Sequence, residues 1–240
     1  TVPTANLVIR GTRPGVFVDG YVNASGNDEQ FDINASNVRI VNLGMTGRLL
    51  ATSAAAALPE HLGVRFDLDG DRRMLYSDAR RFGRLEVLPA ADWEKRQEKL
   101  GIEPLGPEFT AALLHDLSRA SKVAVKTWLM DQKRVVGVGN IYANEALFRA
   151  RIDPRKPANS LSRPRAARLR DAIREVLREA IQFRGTTLLD YRDASGEEGA
   201  FARRLRVYDR AGEPCVTCGT PIRPIVQGGR STFYCPVCQR

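Results

Sequence analysis

Four cysteines constrain this chain more than any other residues. Cys215-Val216-Thr217-Cys218 and Cys235-Pro236-Val237-Cys238 are two C-x2-C pairs with sixteen residues between them, and the 240-residue sequence holds no other cysteine. That spacing fits a four-thiolate zinc site, in which each pair gives two soft sulfurs to one tetrahedral ion. Two disulfides are the other pairing. The first residues lack a basic start followed by an apolar stretch, so the expectation is a reducing compartment and one structural Zn2+. Between the pairs, residues 220–226 and 231–234 read as short strands, with Gln227-Gly228-Gly229-Arg230 as a tight turn that puts Arg230 at the fingertip. Four sulfurs leave no open position for substrate, so the metal holds the fold and takes no part in bond changes.

Charge divides the chain. Residues 1–117 carry 13 Lys and Arg against 16 Asp and Glu, a net of −3; residues 118–240 carry 24 against 12, a net of +12. A basic half of this kind suits a polyanionic partner, whose counterions it releases on binding, although a basic face also serves solubility alone. Arginine predominates there, which favours forked contacts to phosphate. No apolar run reaches the length of a bilayer span, so a soluble chain with no membrane partner is expected.

Along the chain, residues 7–10, 16–18 and 37–41 read as strands among turn residues. Asn42-Leu43-Gly44-Met45-Thr46-Gly47 sets one flexible apolar side chain between two glycines, as a wedge or a core plug. Residues 64–68 and 74–77 read as a hairpin, followed by Asp78-Ala79-Arg80-Arg81-Phe82-Gly83-Arg84. A phenylalanine among three arginines belongs on a loop facing nucleic acid as readily as on a satisfied surface loop. Glu103-Pro104-Leu105-Gly106-Pro107 breaks the pattern, and helical periodicity follows over 109–117, 122–130 and 141–150. Asn140 is placed to N-cap the third of these, behind Gly137-Val138-Gly139. Ser162-Arg163-Pro164 opens a long helix that Gly185 ends, and residues 190–199 read as a mobile loop.

Taken together, Asn42 to Gly47, Asp78 to Gly83 and Gly137 to Phe148, followed by the cysteine pairs, resemble the formamidopyrimidine-DNA glycosylase / endonuclease VIII family of base-excision repair enzymes. The resemblance implies an α+β multidomain fold: a shortened N-terminal antiparallel β-sandwich, a helix-two-turn-helix domain and a C-terminal zinc-ribbon β-hairpin, with DNA bound between the domains. The expected boundaries are 1–102 for the sandwich, 103–118 for a linker and first helix, 119–203 for the helical domain with its loop at 190–202, and 204–240 for the ribbon. By the same resemblance, Met45, Arg80 and Phe82 fill the gap left by a flipped-out base, while Lys126, Asn140 and Arg230 contact phosphate. The loop at 190–202 favours the formamidopyrimidine branch, whose loop closes over an extruded oxidised purine.

The chain departs from the family at its start. Where the family has Pro-Glu, whose secondary amine attacks the sugar C1′, this sequence reads Thr1-Val2-Pro3-Thr4, and Asn27 stands where the family has a catalytic lysine. The α-amine of Thr1 titrates at about 7.7 to 8.0 in an ordinary terminus, so it is the candidate nucleophile. Two functions follow: a glycosylase and abasic-site lyase acting on oxidised purines in duplex DNA, or a paralogue that recognises abasic or distorted DNA without cleaving it. RNA binding fits less well, because A-form duplexes are seldom probed by apolar wedges. The expected setting is the cytoplasm, at the nucleoid, with one monomer acting on damaged double-stranded DNA.

Overall fold

In a computed structural model of the protein, the structure describes residues 7–11, 30–33, 38–42, 47–68, 71–82, 84–87, 95, 100–186 and 199–240. Thr1, the expected strand at 16–18, Asn27, Met45 and residues 190–198 of the expected loop lie outside the described residues. The chain divides into two compact units, one of residues 1–95 with 184–200 and one of residues 96–183 with 201–240.

The first unit is built of antiparallel strands. These are β1 Leu7–Gly11, β2 Gln30–Ile33, β3 Val38–Asn42, β4 Gly47–Ser53, β5 Leu62–Leu68, β6 Arg72–Asp78 and β7 Arg84–Val87. Five form one sheet in the order β2-β1-β5-β6-β4, and β3 pairs with β7 in a second. Alternation puts Val64 and Phe66 of β5 out of water together with Leu75 of β6, while Arg65 and Asp67 form an ion pair at 3.1 Å between them. Register matters most at one end of the sheet. Gly47, the first residue of β4, pairs with Asp78, the last residue of β6. The first residue of β4 therefore lies beside the point where the chain leaves β6 for Arg80–Phe82.

Among the described residues, the second unit has four α-helices: α1 Ala111–Arg119, α2 Val125–Leu129, α3 Asn140–Arg149 and α4 Arg163–Gln182. Thr110 caps α1 by accepting from the Leu113 amide at 3.1 Å. Along α4 the residues Ala166, Leu169, Ala172, Ile173, Val176, Leu177 and Ala180 are buried at three- and four-residue spacing, as the apolar stripe requires. From Leu169 onward they close on Phe109, Leu114, Trp128, Leu129, Leu147 and Phe201 in one core. Each large side chain so buried contributes about 1.5–3 kcal/mol. Phe201 is fully buried and starts a 3-10 turn, Phe201–Arg204, so the chain is anchored in the core before residue 202. Among the described residues, no helix is long and apolar enough to cross a membrane.

Two turns join α2 to α3. Asp131 holds the first, accepting from the Lys133 amide at 3.1 Å and from Arg134 Nε at 3.0 Å. These bonds, the Lys133 amide above all, hold its carboxyl below the usual carboxylate range. Gln132 staples the second, its Oε1 accepting from the Gly137 amide at 2.9 Å and its Nε2 donating to the Val138 carbonyl at 3.3 Å. Gly137 has φ +73, a conformation that favours glycine. The C-terminal ribbon is β8 Arg223–Gln227 paired with β9 Arg230–Tyr234.

Candidate nucleic-acid interface

The ribbon and α3 are fastened by side chains that α3 supplies from one face. Asn144 Oδ1 accepts from the Phe233 amide at 2.7 Å. Glu145 is fully buried, and its carboxylate accepts from the amides of Arg206, Val207 and Tyr208 at 2.9–3.0 Å. Buried carboxylates are costly unless satisfied in this way. Beyond them Phe148 packs with Val207, Ile222 and Phe233 in a second, smaller core. From the ribbon side, Gln239 accepts from the Cys235 amide and donates to the Ile152 carbonyl, both at 2.9 Å.

Four sulfurs sit at the outer end of that core. Cys215, Cys218, Cys235 and Cys238 place their Sγ atoms within 4.8 Å of one another, with Cys218 to Cys235 at 3.5 Å and Cys215 to Cys238 at 3.9 Å. A tetrahedron with metal–sulfur bonds of about 2.3 Å has edges of about 3.8 Å, so the donors fit one zinc ion. The Thr217 amide points at Cys215 Sγ and the Cys238 amide at Cys235 Sγ, each at 3.4 Å, which favours the thiolate form a cation needs. The cluster is a structural zinc site.

At the other end of the ribbon the turn is made by Gly228 and Gly229, at φ +55 and +72, the pair of positive values that a two-residue hairpin of this twist demands. The turn rests on α2: a Cβ added at Gly228 would lie 3.5 Å from Thr127 Cγ2. Arg230 follows and is exposed. Beneath it, Lys126 is fully buried, and its Nζ donates to Thr232 Oγ1 at 2.8 Å and to the Ser231 carbonyl at 3.1 Å. Among the described residues no carboxylate pairs with Lys126. Burial, and next the positive charge of Arg230, push its pKa down to about 8.

Asn140 reaches the same place from α3. The sequence marks it as a helix cap, but Gly139 occupies that position and no side chain caps the helix. The amide of Asn140 is used elsewhere, donating to the Ser231 carbonyl at 3.1 Å, while its Oδ1 is buried without a hydrogen-bond partner. Lys126, Asn140 and Arg230, which the sequence nominates separately, thus converge around Ser231. The first turn of α3 carries no acidic residue, so its amide groups add positive potential on that side. Reading the sequence missed Asn144, Glu145, Ser231, Thr232 and Gln239. The one signal for the first two was a polar pair flanked on both sides by apolar residues, 141–143 and 146–148.

In the first unit, Arg80 and Phe82 lie together on the loop after β6, with Phe82 64% exposed, a high value for so apolar a side chain. Met45 is outside the described residues, although Gly47 and Asp78, which flank the two segments, are strand partners.

Comparison with known proteins gives three matching family models: the formamidopyrimidine-DNA glycosylase N-terminal domain over residues 22–85, the formamidopyrimidine-DNA glycosylase H2TH domain over 100–191, and the zinc finger found in FPG and IleRS over 212–240. The formamidopyrimidine-DNA glycosylase of Burkholderia cenocepacia is 47% identical over 215 residues, covering 84% of this chain and 75% of its own. That of Bordetella avium is 45% identical over 245 residues, covering 99% and 89%. Among solved structures, the MutM (Fpg) protein of Thermus thermophilus is 42% identical with a TM-score of 0.74, covering 82% of this chain and 73% of that one. A complex between Lactococcus lactis Fpg and DNA containing an abasic site is 28% identical with a TM-score of 0.82, covering 99% and 93%.

Proposed function

Since the chain belongs to the formamidopyrimidine-DNA glycosylase family, we propose that it excises oxidised purines from duplex DNA and cleaves the strand at the abasic site that results. The observation that carries this reading is the convergence of Arg230, Asn140 and Lys126 at one end of a zinc-held hairpin. Exposed Arg230 is placed to clamp a phosphate, and the Asn140 amide is close enough to exchange the Ser231 carbonyl for a phosphate oxygen. Lys126 adds charge from beneath and fixes the hairpin through the Ser231 carbonyl and the Thr232 hydroxyl. In the first unit, Phe82, Arg80 and Met45 replace the stacking lost when a damaged nucleotide leaves the helix. The chemistry the family implies is attack of an amine on C1′, loss of the base and β-elimination, with no step at the zinc. The place of action is the cytoplasm, on the nucleoid, one chain to a lesion.

The test is incubation of the protein with a duplex carrying a single 8-oxoguanine, with and without borohydride. Release of the base, strand scission and a covalent adduct in the reduced sample are expected. Tight binding to an abasic duplex with no base release and no adduct would replace the proposal with damage recognition alone.

A further inference from the structure

Asp78 closes β6 at the point where the chain leaves the sheet to present Arg80 and Phe82. It is 4% exposed, a cost for a carboxylate unless its oxygens are occupied. They are occupied from both sides of the strand end. Oδ2 accepts from the Tyr76 hydroxyl at 3.1 Å, and Oδ1 accepts from the Arg80 amide at 3.3 Å. The second bond spans two residues, the pattern by which an aspartate side chain stands in for backbone and starts a turn. The backbone of Asp78 is held as well, its amide donating to the His61 carbonyl at 3.1 Å and its strand position paired with Gly47. Burial, the bond to Asp78 and its negative charge, in that order, raise the Tyr76 hydroxyl above the ordinary tyrosine range, so it remains a donor at any working pH.

Next, Arg81 adopts φ +54, a left-handed conformation that costs a side-chain-bearing residue about 1–2 kcal/mol. The chain then turns Phe82 outward. Such a loop persists when its neighbours determine it, and Asp78 touches it directly. The loop so held is already ordered, whereas a loose one would lose conformational freedom on entering a base stack.

We infer that Asp78, supported by Tyr76, is a positioning residue that preorganises the Arg80–Phe82 loop for insertion into the gap at a damaged site in duplex DNA. The inference rests on the reading of Phe82 as a wedge, so its test separates the two.

The test uses a duplex with a tetrahydrofuran abasic analogue and 2-aminopurine at the adjoining step on the opposite strand, under saturating protein, at a temperature where each variant's unfolding curve shows it folded. Wild type is expected to raise the fluorescence by unstacking the probe, and Phe82→Ala to abolish the rise. Asp78→Ala is expected to lose most of it, about fivefold by the loss of preorganisation. The double variant should lose no more than Phe82→Ala alone, and Asp78→Asn, which keeps an oxygen for the Arg80 amide, should restore the signal. An undiminished rise in Asp78→Ala, with Phe82→Ala dark, overturns the inference and leaves the wedge standing. A full signal in Phe82→Ala overturns the wedge, and the inference with it. Should Asp78→Ala fail to fold, Tyr76→Phe carries the test: a reduced rise supports the inference and an unchanged one overturns it.

Discussion

The ribbon end of the second unit and the Phe82 loop of the first solve opposite problems. At the ribbon, a segment with little core of its own is made rigid from outside. One metal site, one buried carboxylate over three amides, and an ammonium beneath the turn hold it in place. The result is an exposed arginine on a fixed base, suited to a contact that every nucleotide offers. At the loop, an aromatic ring is kept in water at the end of a sheet, with a buried aspartate at its root. That arrangement suits a space that only a disrupted duplex offers. On the function proposed above, affinity and discrimination lie on separate elements, and variants that move both together would break that division.

The largest effect is expected at the metal. Stripping zinc with a chelator, or Cys235→Ser, should unfold the ribbon and weaken DNA binding by two orders of magnitude or about 3 kcal/mol, while helical circular dichroism is largely kept by the separate core of α1 to α4. Retained binding would mean that the grip lies elsewhere. Glu145→Ala should come next. Removing the carboxylate that three amides share, one of them buried, is expected to cost about 3 kcal/mol in denaturant unfolding, with Glu145→Gln milder.

Smaller effects sharpen the contrast. Phe82→Ala should leave stability within about 0.5 kcal/mol, because the ring is exposed, yet reduce preference for abasic over intact duplex about tenfold. The smallest is a pH effect at Lys126. Its folded pKa is lowered to about 8, so burying the cation costs stability below that pH, and the cost is relieved as pH rises from about 8 toward the unfolded value of 10.5. Stability should therefore gain over that window. The electrostatic contribution to DNA affinity should fall severalfold over it, because the neutral amine attracts no phosphate. Lys126→Met, measured alongside across pH 7 to 9.5, should lack both trends.

Local chemistry made much of this legible. Cysteine spacing marks the ribbon, the two glycines mark its turn, and an arginine-flanked phenylalanine marks the loop, because each is fixed by neighbours in sequence. What escaped was tertiary. Asn140 sits where a cap residue belongs, but its side-chain partner is 91 residues away; Lys126 reads as a surface cation until a carbonyl 105 residues on covers it. Glu145 would be a solvent-facing residue in most helices, and the amides that bury it begin 61 residues later. Strands β2 and β7 gave weak signals because four alternating residues are few, and β4 because Leu49-Leu50-Ala51 interrupts its alternation.

The most direct measurement is the salt dependence of binding to an abasic and an intact duplex, for wild type, Arg230→Ala and Phe82→Ala. Arg230→Ala should lower the slope of log K against log salt by about 0.9 on both duplexes, one phosphate's worth, and leave their ratio unchanged. Phe82→Ala should keep the slope and lose the ratio. An unchanged slope in Arg230→Ala, or a lost ratio with it, would contradict the division between grip and discrimination.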